Sequence, residues 1–269
     1  MTRPPACASS ATAGAAAASA AAALAQASAA GPYFTIQPWS PQAPWQPLGR
    51  LVSDPAALRE RVVHSRGLLA SQAGIAAGDV EERVAASTAF LGLASQLVSP
   101  LLGAAVIGGV VPRLAVADLW WRPAGSGPWP LAARPAGGIG VGPLESGREF
   151  REAGLALSER VHDLTGPLAA AFGAVFRLSP QVLRGNVASA LSGASGVLGA
   201  AFPPRAAAAG HLTAQVLATG WLRRTGAFVQ PDPARPQWVL ARRSCCLLYR
   251  LPGARTCGDC VLRREKPER

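Results

Sequence analysis

Lysine is almost missing from this 269-residue chain: it occurs once, at Lys266, and arginine supplies nearly all the remaining positive charge. That skew, beside abundant alanine, glycine and proline, has the look of a GC-rich coding sequence, so arginine number alone carries no mechanism. Charged residues amount to only 15% against 49% apolar, which excludes a chain kept unfolded by its own charge and leaves ample material for a core. Histidine is scarce too. His64, His162 and His211 lie far apart without metal-ligand spacing, and His162, Asp163 and Glu159 read as the polar face of a surface helix. No glycine-rich phosphate loop, dinucleotide fingerprint or nucleophile-elbow serine occurs, so nothing points to bound nucleotide or serine-hydrolase chemistry. Helix-turn-helix, zinc-finger and basic-aromatic patterns are also missing, which argues against nucleic acid as a partner.

Cysteine is rare but concentrated. Apart from Cys7, all of it lies in Cys245, Cys246, Cys257 and Cys260, the pattern C-C-x10-C-x2-C. Two structural disulfides would need an oxidising compartment, and the N-terminal stretch makes a poor export signal: Arg3 is its one positive charge, and alanine with a single leucine is a weak apolar segment. Adjacent cysteines also bond each other only with strain. A dithiol redox pair would use Cys257 and Cys260 alone and would sit in a βαβ context that is not visible here. A metal site uses all four thiolates, with Gly258 giving the Cys257–Cys260 knuckle its freedom to turn. Zinc and a [2Fe–2S] cluster both accept four such ligands. The missing residue between Cys245 and Cys246 favours the larger cluster by geometry and leaves zinc open.

The run Arg-Arg-Ser-Cys-Cys-Leu-Leu-Tyr-Arg-Leu-Pro-Gly over 242–253, closing with Cys257-Gly258-Asp259-Cys260-Val261-Leu262, resembles the C-terminal signature of the FhuF-like ferric-siderophore reductases. Leu183-Arg184-Gly185-Asn186-Val187-Ala188-Ser189 resembles the Leu-x-Gly-Asn-x-Ala-Ser stretch of the same family. Leu97-Val98-Ser99-Pro100-Leu101-Leu102 is a weaker match to its central helical segment. The likeness spans roughly 51–262, and the cysteine motif is its specific part. Arg184 departs from it, since the resemblance leads one to expect an aromatic there.

The resemblance implies a [2Fe–2S] cluster on Cys245, Cys246, Cys257 and Cys260, with no catalytic residue beyond these ligands. It implies one-electron reduction of Fe(III) in a ferric-siderophore to Fe(II), for iron release inside the cell. Electrons would come from another protein or a diffusible reductant, because no nicotinamide or flavin motif is present. Two rivals stay open: a zinc-stabilised binding or assembly protein, and a [2Fe–2S] redox or iron sensor without turnover.

Charge gathers around the motif. Positions 221–269 hold 11 basic and 4 acidic residues, +7 of the total +11. Arg242, Arg243, Arg250 and Arg255 lie within it, and Arg263 and Arg264 follow. Such groups would stabilise a reduced, more negative cluster, or would steer an anionic chelate or an acidic electron donor. For any single arginine, a solvated surface is the plainer reading.

Residues 1–31 read as a disordered Ala-rich tail, and 32–50 as a Pro/aromatic arm whose Tyr33, Phe34, Trp39 and Trp45 pack on the body. Trp120 and Trp121 read as core or interface anchors. From 51 to 220 the punctuation is helical. Asp54-Pro55 starts one helix, Asp79 to Glu82 caps another over Arg83–Ser99, and Pro100 ends or kinks that one. Further helices are expected over Ser146–Leu164, after Ser179-Pro180, and over Arg205–Thr219. Positions 110–143 suit short strands and a loop. The uncharged stretch 84–112 is long enough to span a bilayer. Yet Phe90, Leu93, Leu97 and Leu101 repeat at helical spacing, and polar residues interrupt it, so a buried helix is expected. The expectation is a mainly α protein with a small extended region, ending in a four-cysteine iron–sulfur module at 221–269. It should be cytoplasmic, without a transmembrane span, working close to the membrane that imports its substrate.

Overall fold

A computed structural model describes residues 8–125, 127–134, 137–232, 237–254 and 256–263. The protein is 63% helix with small sheets. Its order is α1 (Ala8–Ala27), β1 (Ile36–Pro38), β2 (Gln46–Pro47), α2 (Arg50–Ser53), α3 (Pro55–Ala73) and α4 (Glu82–Gly108), then β3 (Val110–Arg113), β4 (Leu119–Trp121), β5 (Leu131–Ala133) and β6 (Gly137–Gly140). The chain continues through α5 (Gly147–Phe176), α6 (Pro180–Ala201), α7 (Ala206–Ala218), β7 (Gly226–Val229) and β8 (Val239–Arg242).

The central element is α4. It passes the length and hydropathy test for a membrane span, but 78% of its most apolar window is buried inside the protein. Helices α1, α3, α5 and α6 pack around it. A helix that is apolar on every side belongs in such an interior. Phe90 meets Phe172 of α5 edge-on at 5.2 Å, and Leu97, Leu101 and Leu102 are fully buried.

Helix starts follow their local chemistry. The Asp54 carboxylate accepts from the Ala56 and Ala57 amides, Pro55 fills the first position, and Gly74 ends α3 in the left-handed region. Ser146 and Glu149 form a reciprocal capping box on α5, and Ser179 caps α6 ahead of Pro180.

Four expectations change. Residues 8–27 are a helix rather than a disordered tail, with Ala20, Ala23, Leu24 and Ala27 buried. Its small side chains let it approach α4 closely: a Cβ added to Gly108 would stand 2.5 Å from Ala23 Cβ, and one on Gly103 2.8 Å from Ala27 Cβ. Alanine has the best helix propensity, and the tight contact supplies the packing that its small surface cannot. Pro100 does not end α4, which continues to Gly108 with Leu101, Leu102, Ala104 and Ala105 buried. Likewise α5 runs through Pro167 to Phe176, because Leu168, Ala169, Phe172 and Phe176 bury beyond it. In both, core packing offsets the ~3 kcal/mol that an interior proline costs. Asp79 closes a short 3-10 turn instead of capping α4, whose first residue is Glu82 after Glu81.

The small sheet runs β1-β5-β4-β2, with β1 parallel to β5 and the other pairs antiparallel. Pro38 and Pro47 lie on its two edge strands, where a missing amide is tolerated. Trp39 packs on Trp120 at 5.3 Å with Arg134 over its ring, and Trp121 stacks on Trp129 at 4.2 Å. Separate ribbons pair β3 with β6 and β7 with β8. The last ribbon lies against α6 and α7 and carries the chain to the cysteines.

Candidate metal centre

Strand β8 ends at Arg242, and the Arg243 amide makes the last ribbon bond to Thr225 O at 2.9 Å. The chain then turns across α4 and α6. Leu247 adopts the left-handed conformation (φ 70°), and its amide donates to Cys245 Sγ at 3.3 Å. A 3-10 turn over Leu248–Arg250 and a turn at Gly253 (φ 72°) reverse the spacer. The Cys260 amide donates to Cys257 O at 3.1 Å, closing the C-x-x-C knuckle.

All four thiols are free. Cys246 and Cys260 are buried, while Cys245 and Cys257 are partly exposed. Cys246 Sγ and Cys257 Sγ stand 3.6 Å apart, beyond any disulfide bond. Burial pushes the Cys257 thiol well above its ordinary range, and Asp259 and Cys246 push it further. Burial also raises Cys245, against the pull of the Leu247 amide; Cys246 and Cys260 raise it too, and Arg242 lowers it. Cys245 and Cys257 are therefore both held toward the protonated thiol, in part by their neighbouring cysteines. A cationic centre reverses that preference, because thiolate binding to metal displaces the protons outright. Among the described residues, no three His, Cys, Asp or Glu side chains already stand as a single-ion site. The donor set is a patch of four thiols in two pairs, and by its chemistry it fits a cluster with two metal ions.

The floor of this patch was not legible as such. Arg242 is 1% exposed, the largest fully buried side chain among the described residues. Its Nη1 donates to Ser189 Oγ at 2.8 Å, and its Nη2 to Asn186 Oδ1 at 2.6 Å and Val182 O at 3.3 Å. Asn186 Nδ2 donates to Ser87 O at 2.9 Å, and Ser87 Oγ donates to Cys246 O at 2.7 Å. Ser189 Oγ is also bonded to the Asp259 carboxylate. Gly185 lies directly under Ser244 and Arg242; a Cβ there would collide with Ser244 Oγ and stand 2.9 Å from Arg242 Nη2. The Gly-Asn-x-Ala-Ser stretch is thus the seat of the cysteine loop. Two poor helix formers side by side inside a helix were the available signal. Ser87, which read as an interruption of an apolar run, is the third leg of the seat.

This geometry has a counterpart among known proteins. Residues 242–262 match the family model of the FhuF 2Fe-2S C-terminal domain. The match begins at Arg242 and takes in all four cysteines, and it supports a [2Fe–2S] cluster on this FhuF-type segment. The chain matches no curated protein. At family level the segment points to the siderophore-iron reductases.

Other candidates are dispersed. Arg243 and Arg250 are exposed, and Arg250 bridges to Glu81 at 3.2 Å. Cys7, Arg255, Arg264 and the Arg263 side chain lie outside the described residues. The histidines pack on separate rings, His64 on Trp129, His162 on Trp221 and His211 on Trp238. Glu159 and Asp163 both pair with Arg160.

Proposed function

We propose that this protein reduces the Fe(III) of a ferric-siderophore to Fe(II) through a [2Fe–2S] cluster held by Cys245, Cys246, Cys257 and Cys260. The observation that carries the reading is the four-thiol loop of the FhuF-type segment, seated by buried hydrogen bonds on α4 and α6. A bound cluster supplies one electron at a time, which matches Fe(III) to Fe(II), and a one-electron donor protein or diffusible reductant restores it.

The chain's own residues do the rest. Burial of Cys246 and Cys260 shields one side from water, while the partial exposure of Cys245 and Cys257 leaves an edge for electron exchange. Arg242 holds a positive charge beneath the loop, which favours the reduced and more negative state. Ferrous iron is less highly charged, so hard oxygen donors hold it far less tightly and release it. The protein works in the cytoplasm on this reading, where imported chelates arrive.

The test is metal analysis with visible and low-temperature EPR spectra of anaerobically purified protein, followed by turnover of ferric-siderophores with dithionite as reductant. About two irons per chain and an EPR signal appearing only on reduction are expected. Zinc, with failed reconstitution by iron and sulfide, would replace this reading with a structural zinc protein. A competent cluster that reduces no ferric chelate would leave a sensor.

A further inference from the structure

A groove of about 360 Å³ opens between α4 and α6 under the aromatic arm. Ser95 and Ser99 of α4 form one wall, Ser189, Gly193 and Val197 of α6 the other, and Tyr33 stands at its edge. Among the described residues, no charged side chain lines it. Tyr33 and Val197 are among the few large apolar side chains left exposed, at 40% and 46%. The wall residue Ser189 is bonded to Asp259, which lies between Cys257 and Cys260, and it accepts from Arg242 at 2.8 Å. The groove and the cysteine loop therefore share a side chain.

We infer that this groove is where the electron acceptor docks, and that the acceptor is a ferric chelate with an uncharged exterior. The inference rests on the reductase reading above and adds a place and a chemistry to it. A concavity of this size suits a small molecule and is too small to seat a protein donor. Among the described lining residues, an anionic periphery would meet no cation, and a cationic one no carboxylate. Ser95 donates to Leu91 O, Ser189 is bonded to Asp259 and Arg242, and Ser99 is buried, so the walls offer an uncharged and mainly apolar surface. Ser189 joins the two: it lines the groove and is bonded to Asp259 of the Cys257–Cys260 knuckle. A second groove crosses the spacer between Gln72, Thr88 and Leu251; it is the alternative address for the same occupant.

Glycine makes the test clean. A Cβ at Gly193 meets nothing within 4 Å and Gly193 lines the groove, so Gly193→Trp starts its side chain in open space and should fill the groove. Gly196 on the same helix is equally open and faces a different cavity, and Gln72 lines the spacer groove. The probe is ferric tris-maltolate, a neutral chelate, with gallium(III) tris-maltolate as its redox-inactive twin for calorimetric binding to the cluster-loaded protein. Gly193→Trp should raise KM and weaken gallium-chelate binding about tenfold or more. Its EPR spectrum, midpoint potential and electron transfer to ferricyanide should not change. Gly196→Trp and Gln72→Trp should leave KM and binding as in the wild type.

Equal effects in Gly193→Trp and Gly196→Trp would overturn the site, as would an effect confined to Gln72→Trp. A rate that rises linearly with chelate in the wild type, or no gallium-chelate binding, would overturn it as well. Failure of the wild type to reduce any ferric chelate would instead sink the reductase reading beneath it.

Discussion

Arg242 gives the sharpest test of how the body of the protein acts on its cysteine loop. Its guanidinium is buried with no carboxylate paired to it among the described residues, and Asp259 reaches it only through Ser189. A buried charge is weakly screened by salt. For a unit charge ~8 Å from its target at an effective dielectric of ~20, Coulomb's law gives about 2 kcal/mol. With tenfold equal to about 1.4 kcal/mol and to about 59 mV for one electron, that is roughly 90 mV. A cluster gains negative charge on reduction, so Arg242→Gln should lower the midpoint potential by that order. Arg242→Lys keeps the charge and should shift it by less than about a third as much. Both variants lose the bonds to Asn186 and Ser189 and should cost about 1–3 kcal/mol of stability. EPR-monitored redox titration of anaerobic protein separates the two effects, since damage to the fold alone would move both variants alike. Equal shifts, or none in Arg242→Gln, would refute the argument.

Cys257→Ser should abolish the visible spectrum and drop iron well below about two per chain; unchanged iron and absorption would remove it from the ligand set. Gly185→Ala drives a methyl into Ser244 and Arg242 and should loosen the loop by about 1–3 kcal/mol, seen as faster loss of the cluster to a chelator. Gly108→Val meets Ala23 Cβ at 2.5 Å or less; it should lower the thermal midpoint and raise amide exchange along α1. The Glu145 and Ser146 amides hold the Glu149 carboxyl below its usual 4.5. That stabilisation is fully present above 4.5 and fades as pH falls through the lower folded value. Glu149→Gln should therefore flatten the acid limb of the unfolding profile, and an unaltered limb would count against the cap.

Reading the sequence recovers what depends on local chemistry. Asp54-Pro55, Ser146 and Ser179 each cap the helix they precede, and Phe90, Leu93, Leu97 and Leu101 mark the buried stripe of α4. Helix ends at Pro100 and Pro167 are misread because the local cost of proline is offset by burial several residues further on, which no window of sequence displays. Residues 8–27 are misread for a related reason. Alanine offers no amphipathic contrast, and the glycines of α4 that let α1 settle lie about eighty residues away. The cysteine motif is legible because four rare side chains stand close together in the chain. Its seat is legible only in part: Asn186 and Ser189 fall in the stretch that carries the resemblance, but Ser87 and the bonding that joins all three to the loop are made only by the fold.

The division between motif and seat has a physical consequence. The 21 residues that carry the family match contribute the four thiols and the buried Arg242, but the hydrogen bonds of that guanidinium go to Ser189, Val182 and Asn186 outside them. Buried charge is tolerated only when hydrogen bonds replace its water. Those bonds come from α6, and α6 is held in turn through Asn186 and Ser87 to α4. Residues that fix the loop also touch the groove proposed for the chelate, since Ser189 belongs to both. An excised C-terminal segment would keep the thiols but lose the counter-charge's seat and the neighbouring wall. On the proposed reading the helical body is therefore part of the redox site itself: it sets where the cluster loop lies, what charge sits beneath it, and which small molecule can come beside it.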